Sequence, residues 1–307
     1  MVDPSKLFEP VTDKCYRVII LVTGVYSIVL SVIPLARLVP RPPLQLLIWA
    51  SVLLLYKLRF LPDQAKRWLF YVFLFVTYPA LRHVVTTYPE AFHCLGILEF
   101  EQSLFGTLPS VWLQSILHPD SILRWYDYLF ALLHVTLFSL PVVFSALMLW
   151  RRGPEVMKRA SVAIVIVSLT GYLTYVLFPL TPPWMAGLEG LATEMDRVVF
   201  RAIRNLFPAG VVGAFQPSPR GAMPSLHAGL PLLLLIICLR EFGGKVWWLS
   251  IPVVLVCFEI VYGAEHYVVD VVVGFVYALA SYIVVYWLML PGPARCRSSD
   301  GSEETPG

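Results

Sequence analysis

The stretch Gly221–Arg240 reads GAMPSLHAGLPLLLLIICLR. Its first seven residues, Gly221-Ala222-Met223-Pro224-Ser225-Leu226-His227, end in a histidine and run straight into leucine and isoleucine. A second block behaves alike: Glu265-His266-Tyr267-Val268-Val269-Asp270 opens an apolar segment that continues to about residue 290. A helix needs ~20 apolar residues to cross a bilayer. Ionisable groups in such surroundings are functional candidates by default.

The rest of the chain agrees with a membrane setting. Of its 307 residues, 58% are hydrophobic and 14% charged, and the mean hydropathy is +0.74. A soluble domain of this size needs more surface charge. The expected fold class is all-α, a polytopic helical membrane protein of about eight transmembrane helices. Candidate spans cover roughly 17–36, 44–60, 68–86, 126–150, 160–181, 224–240, 246–263 and 267–290. They suggest N-terminal transmembrane helices over 1–66, a main membrane domain over 67–290 and a polar, disordered tail over 291–307. The start of the chain lacks a cleavable signal pattern, so the first span is expected to direct insertion. Of the cysteines Cys15, Cys94, Cys238, Cys257 and Cys296, none forms a CxxC pair. They read as small apolar filler rather than a zinc site.

Orientation follows from lysine and arginine. With eight spans, one side of the membrane carries 15 basic residues and the other 8. The positive-inside rule then puts both termini in the cytoplasm. His227 and His266 fall together at the extracytoplasmic ends of their helices. Two loops on that side are long. The apolar run Leu104–Leu113 is short for a span and is expected to be interfacial or re-entrant. Arg197, Arg201 and Arg204 stand at helical spacing among apolar residues, as in a surface helix lying on headgroups; a solvated basic face is the competing reading.

His266 and Asp270 are four residues apart, so a helix would place them on one face. A carboxylate there fixes the imidazole tautomer and makes the other ring nitrogen a better nucleophile or base. A polar pair that helps helices pack is the bland alternative. Pro224 and Ser225 suit a helix start, with Ser225 as its cap. Backbone N–H groups at such a start favour a bound phosphate, and His227 beside it could protonate a leaving oxygen. Arg220 and Arg82 are candidate phosphate ligands, with snorkelling to the interface as the other account of Arg82. Glu265 and His266 are adjacent and face different directions, which makes them poor metal co-ligands. His83, His93, His118 and His134 have no comparable setting and read as structural or interfacial.

Together the two motifs resemble the type 2 phosphatidic acid phosphatase superfamily, in particular its inositol phosphorylceramide synthase branch and related bacterial membrane proteins. Phe178-Pro179-Leu180-Thr181-Pro182-Pro183-Trp184 is similar to a segment of that branch, as are the Leu104–Gln114 stretch and Trp125-Tyr126-Asp127. The resemblance covers roughly 80–285 and implies a six-helix core. It implies that His266 attacks phosphorus to give a phosphohistidine, that Asp270 orients it, and that His227 protonates the leaving alkoxide. Ser225 and backbone amides, with Arg220 and Arg82, would hold the phosphoryl oxygens. No metal or other cofactor is implied. The resemblance implies a lipid phosphotransferase or phosphatase, since an alcohol acceptor gives transfer and water gives hydrolysis; the partners would be a lipid phosphate or phospholipid donor, a lipid alcohol acceptor in the case of transfer, and the membrane, with no nucleic acid. The chain departs from the phosphatases by lacking their first motif and by having Ile260 where their third motif carries arginine. A transporter or a non-catalytic scaffold using the same polar groups is the alternative. Against transport, the ionisable residues gather at one end of the helices rather than at the midplane.

Overall fold

The computed structural model describes residues 94–209, 212 and 220–289, together with Trp68 and Tyr71. The expected spans at 17–36 and 44–60, nearly all of 68–86, the boundary at 66, the tail and Arg82 lie outside the described residues.

Among the described residues the architecture is all helical, with one isolated parallel bridge between Leu180 and Gly221. Two short helices come first, α1 (Cys94–Phe105) and α2 (Pro109–Leu117). They split the Leu104–Leu113 run, because Gly106 takes a positive φ of 79° and Pro109 starts a new helix. Neither is long enough to span. Then come α3 (Trp125–Arg152) and α4 (Pro154–Leu177), joined at Gly153, followed by the short α5 (Pro183–Leu188) and α6 (Val198–Leu206). The last three helices are α7 (Leu226–Phe242), α8 (Ser250–Tyr262) and α9 (Val268–Ile283). A 3₁₀ segment, Gly244–Leu249, leads into α8, and a π-type segment, Val284–Met289, extends α9.

Four stretches among the described residues are long and apolar enough to cross a membrane: Trp125–Arg152, Pro154–Leu177, Gly244–Tyr262 and Val268–Trp287. The chain is an integral membrane protein. These four fall on expected spans, and α7, with 17 residues, falls on a fifth. In its most apolar window α4 is 61% buried and α3 only 22%. So α4 is an inner helix, while α3 turns most of its surface outward, where lipid replaces protein contact. The core between α4, α7 and α9 is filled by Val162, Ile164, Leu233, Ile237 and Ala278.

The helices alternate in direction, so α3, α7 and α9 begin, and α4 and α8 end, at one end of the bundle. The short helices gather there. α6 differs from the surface helix expected. Val198, Val199, Ala202 and Ile203 are buried against Phe130 and Ala131 of α3 and Tyr262 of α8. Its apolar face meets protein rather than headgroups because two of its flanking arginines are held by acidic partners, as described below.

Candidate active site

The turn between α8 and α9 carries His266, and its backbone explains the placement. Ala264 adopts a left-handed φ of 58°. The amides of Glu265 and His266 both donate to the carbonyl of Ile260, at 3.0 and 3.1 Å. His266 therefore lies in the turn, two residues before α9 begins at Val268. The expected helical i, i+4 pair is corrected accordingly. Asp270 folds back as a cap, and its Oδ2 accepts from the Tyr267 amide at 2.9 Å. The same oxygen lies 3.4 Å from His266 Nδ1. That is an ion-pair distance, longer than a well-formed hydrogen bond.

On the facing helix, Ser225 caps α7 as expected, its Oγ accepting from the Ala228 amide at 3.3 Å. The Ser225 amide is not open to a ligand: it donates to the Asp270 carbonyl at 3.0 Å. This bond ties the two motifs together at their roots. The helices then cross at glycine. A Cβ built on Gly229 would stand 2.7 Å from the Gly274 carbonyl oxygen, and one on Gly274 would run into the Ser225 carbonyl. Small residues let the backbones approach this closely. As a result His227 Nδ1 comes within 3.0 Å of His266 Nε2. Asp270, His266 and His227 thus form a line: the carboxylate faces one nitrogen of His266, and the His227 ring faces the other.

The Phe178–Trp184 segment is stitched to both motifs. Leu180 donates to the Arg220 carbonyl at 3.1 Å and accepts from Ala222 at 3.2 Å, and the Trp184 amide donates to Ala264 at 3.0 Å. Arg220 itself donates to Thr181 Oγ1 and Glu189 Oε1, both at 3.1 Å. The Gln114 side chain donates to the carbonyls of Tyr262 and Asp196, each at 2.8 Å. Asp127, fully buried, accepts from the Tyr262 hydroxyl at 2.8 Å. These contacts brace the end of α8 from which the His266 turn springs.

Three features of the site were not legible in the sequence. Arg197 grips Glu265 as a fork, Nε to Oε1 and Nη2 to Oε2 each at 3.0 Å, with Nη2 also 2.8 Å from Oε1, while its Cζ sits 4.1 Å from the ring centres of Trp184 and Phe200. His134 of α3, read as structural, bonds Glu259 of α8 at 2.9 Å, and its ring centre is 4.7 Å from that of His227. Glu101 of α1 accepts from the Val269 amide at the start of α9, at 2.9 Å. Burial pushes the Glu101 carboxyl up to about 7. A sequence signal existed for Glu259: it is the one charge inside an otherwise apolar expected span.

A family model of the PAP2 superfamily matches residues 95–284. The chain belongs to the PAP2 superfamily. Within it, the chain is 26% identical over 275 residues to the inositol phosphorylceramide synthase catalytic subunit of Schizosaccharomyces pombe, covering 84% of this chain and 56% of that protein. It is 23% identical over 202 residues to the phosphoinositol dihydroceramide synthase of Bacteroides thetaiotaomicron, covering 61% of this chain and 65% of the other. The inositol phosphorylceramide synthase of Candida albicans is 26% identical over 183 residues, which cover 55% of this chain and 37% of that protein. The chain thus spans less than two thirds of the length of each of these PAP2 relatives. No solved structure gives a significant match.

Proposed function

We propose that this PAP2 protein is a lipid phosphotransferase that moves a polyol-phosphoryl headgroup from a phospholipid to a lipid alcohol through a covalent adduct on His266, at the extracytoplasmic face. The observation that carries the reading is the 3.0 Å approach of His227 Nδ1 to His266 Nε2, with Asp270 behind Nδ1 of His266. A proton on the Asp270 side leaves Nε2 with its lone pair free to attack. In the substrate complex the phosphoryl group takes the place of the contact between the rings. His266 Nε2 bonds to phosphorus as the ester P–O bond breaks, and His227 gives its proton to the departing alkoxide. The acceptor alcohol then returns a proton to His227 as its oxygen displaces His266. At the α7 start the amides of Leu226 and His227, which lie between the paired Ser225 and Ala228 amides, would face developing negative charge. Arg220 and Arg82 remain proposed phosphate ligands, with Arg220 exchanging or sharing its Glu189 contact. Ser225 contributes mainly by fixing the helix start.

A polyol headgroup is favoured over a bare phosphate by the neighbouring cavity of about 690 Å³, lined by His118, Trp184, Glu194, Asp196, Arg197 and Arg201. Its two carboxylates and two guanidiniums balance. Arg201 pairs with Asp196, which lies 3.1 Å from His118 Nε2. His118 Nδ1 is buried without a hydrogen-bond partner among the described residues. Such a neutral set of donors and acceptors suits hydroxyl groups better than a second anion. The names of the fungal and bacterial relatives support phosphoinositol as the headgroup and a ceramide-type alcohol as the acceptor.

The test is turnover of headgroup-labelled phosphatidylinositol by the purified protein in detergent, with and without ceramide. Acceptor-dependent label in a new lipid is the expected result. Release of water-soluble label regardless of ceramide would make it a phosphatase-type hydrolase. No turnover across a broad panel of donors would return weight to a transporter or scaffold.

A further inference from the structure

The catalytic line of Asp270, His266 and His227 leaves one buried ionisable pair unexplained. Glu259 of α8 is fully buried, and His134 of α3 is 7% exposed. They bond at 2.9 Å through Glu259 Oε1 and His134 Nδ1. Glu259 Oε2 is buried with no hydrogen-bond partner among the described residues. As packing alone this is a poor arrangement, because a buried ion pair with an unsatisfied oxygen is commonly no better than apolar side chains of similar volume. An intramembrane pair of this kind calls for a functional account.

Its position supplies one. The His134 ring leans on the His227 ring, with centres 4.7 Å apart and planes 36° apart, and Phe138, one turn along α3, stands 6.3 Å from the same ring. His227 is thus held between His266 on one side and the His134–Glu259 pair on the other. We infer that Glu259 and His134 are positioning residues for His227, keeping its ring aimed at the leaving oxygen. The inference rests on the proposed acid role of His227. Glu259 accepts the Nδ1–H of His134, which locks the orientation of the ring that packs against His227. Neither residue forms or breaks a bond to substrate. The transferred proton leaves a His227 nitrogen for the leaving oxygen as the P–O bond breaks and the bond to His266 Nε2 forms.

Acid assistance matters only when the leaving group needs a proton, and the test uses that. Two donors are compared in the full-length protein: phosphatidylinositol, whose alkoxide needs protonation, and the 4-nitrophenyl ester of inositol phosphate, whose nitrophenolate leaves without it. Glu259→Gln and the apolar double variant His134→Phe with Glu259→Leu are each expected to slow phosphatidylinositol turnover about 10- to 100-fold, within the range that acid–base groups supply. Both should leave the nitrophenyl ester within about threefold of wild type. The double variant keeps a filled core, so it guards against a loss that comes only from misfolding. Equal losses on both donors, or no loss on either, would overturn the inference. His227→Ala separates the two levels of the argument. If it too lacks the leaving-group dependence, the acid assignment fails; if it shows the dependence and the Glu259 and His134 variants do not, only the positioning role fails.

Discussion

Asp270 works on two neighbours at once, and that shapes what its replacement should do. Its Oδ2 accepts the Tyr267 amide and faces His266 Nδ1. Asn in its place can keep the cap through its amide oxygen while removing the charge that stabilises a cationic His266. Asp270→Asn is expected to lower turnover on the order of 10²–10⁴-fold with little change in the thermal unfolding midpoint. A near-normal rate would contradict the orienting role. Glu101 gives a prediction of a different kind. Burial raises its carboxyl to about 7, so the folded protein holds this proton more tightly than the unfolded chain does. Its contribution to stability is complete below the ordinary carboxyl range and is lost as pH rises through about 7. The unfolding midpoint in detergent should therefore fall between pH 5 and 8. Glu101→Gln should flatten that slope, and an unchanged slope would reject the assignment. The sequence made His227, His266 and Asp270 legible because each stands in a short, chemically unusual run. Glu259 and His134 are 125 positions apart and Arg197 and Glu265 are 68 apart. Only the packing of α3 on α8 and of α6 near the turn joins them.

At the scale of elements, the site depends on how closely α7 and α9 cross. Gly229 and Gly274 allow backbone contact there, and the Ser225 carbonyl sits where a Gly274 side chain would be. Gly274→Ala must push the helices apart and widen the gap between His227 and His266. The expected result is a loss of at least tenfold in activity, together with about 1–3 kcal/mol in stability from overpacking. Gly96→Ala, in α1, meets nothing within 4 Å and serves as the neutral control. An active Gly274→Ala would show that the crossing does not set the geometry. The spans described here were readable because long apolar runs have one solution in a bilayer, the helix. The role of α6 was not. Its alternating arginines and apolar residues fit a membrane surface and a protein groove equally well in sequence, and the choice depended on Glu265 and Asp196 being there to receive Arg197 and Arg201.

Among the described residues, a cluster of basic side chains marks the end of the bundle opposite the catalytic line. Arg151, Arg152, Lys158, Arg240 and Lys245 cluster where α3 ends, α4 begins and α7 ends, and Arg152 bonds the Glu241 carbonyl there. His118, His134, His227 and His266 lie towards the other end. The positive-inside rule then predicts that single cysteines placed at residues 187–195, in a cysteine-free background, react with an impermeant reagent added from outside intact cells. Labelling only after the membrane is opened would reverse the orientation. The predicted orientation would suit the proposed reaction by setting the headgroup cavity on the extracytoplasmic side.

The central claim is a covalent bond between phosphorus and His266. The direct measurement is to mix the purified protein with phosphatidylinositol labelled in the headgroup or, separately, in the acyl chains. The reaction is quenched in alkali, where a phosphorus–nitrogen bond survives, and the labelled peptide is located by mass spectrometry. Headgroup label on the peptide containing His266, without acyl label and absent from His266→Ala, is the predicted result. Wild-type turnover with no adduct, or an adduct on another residue, would contradict the account.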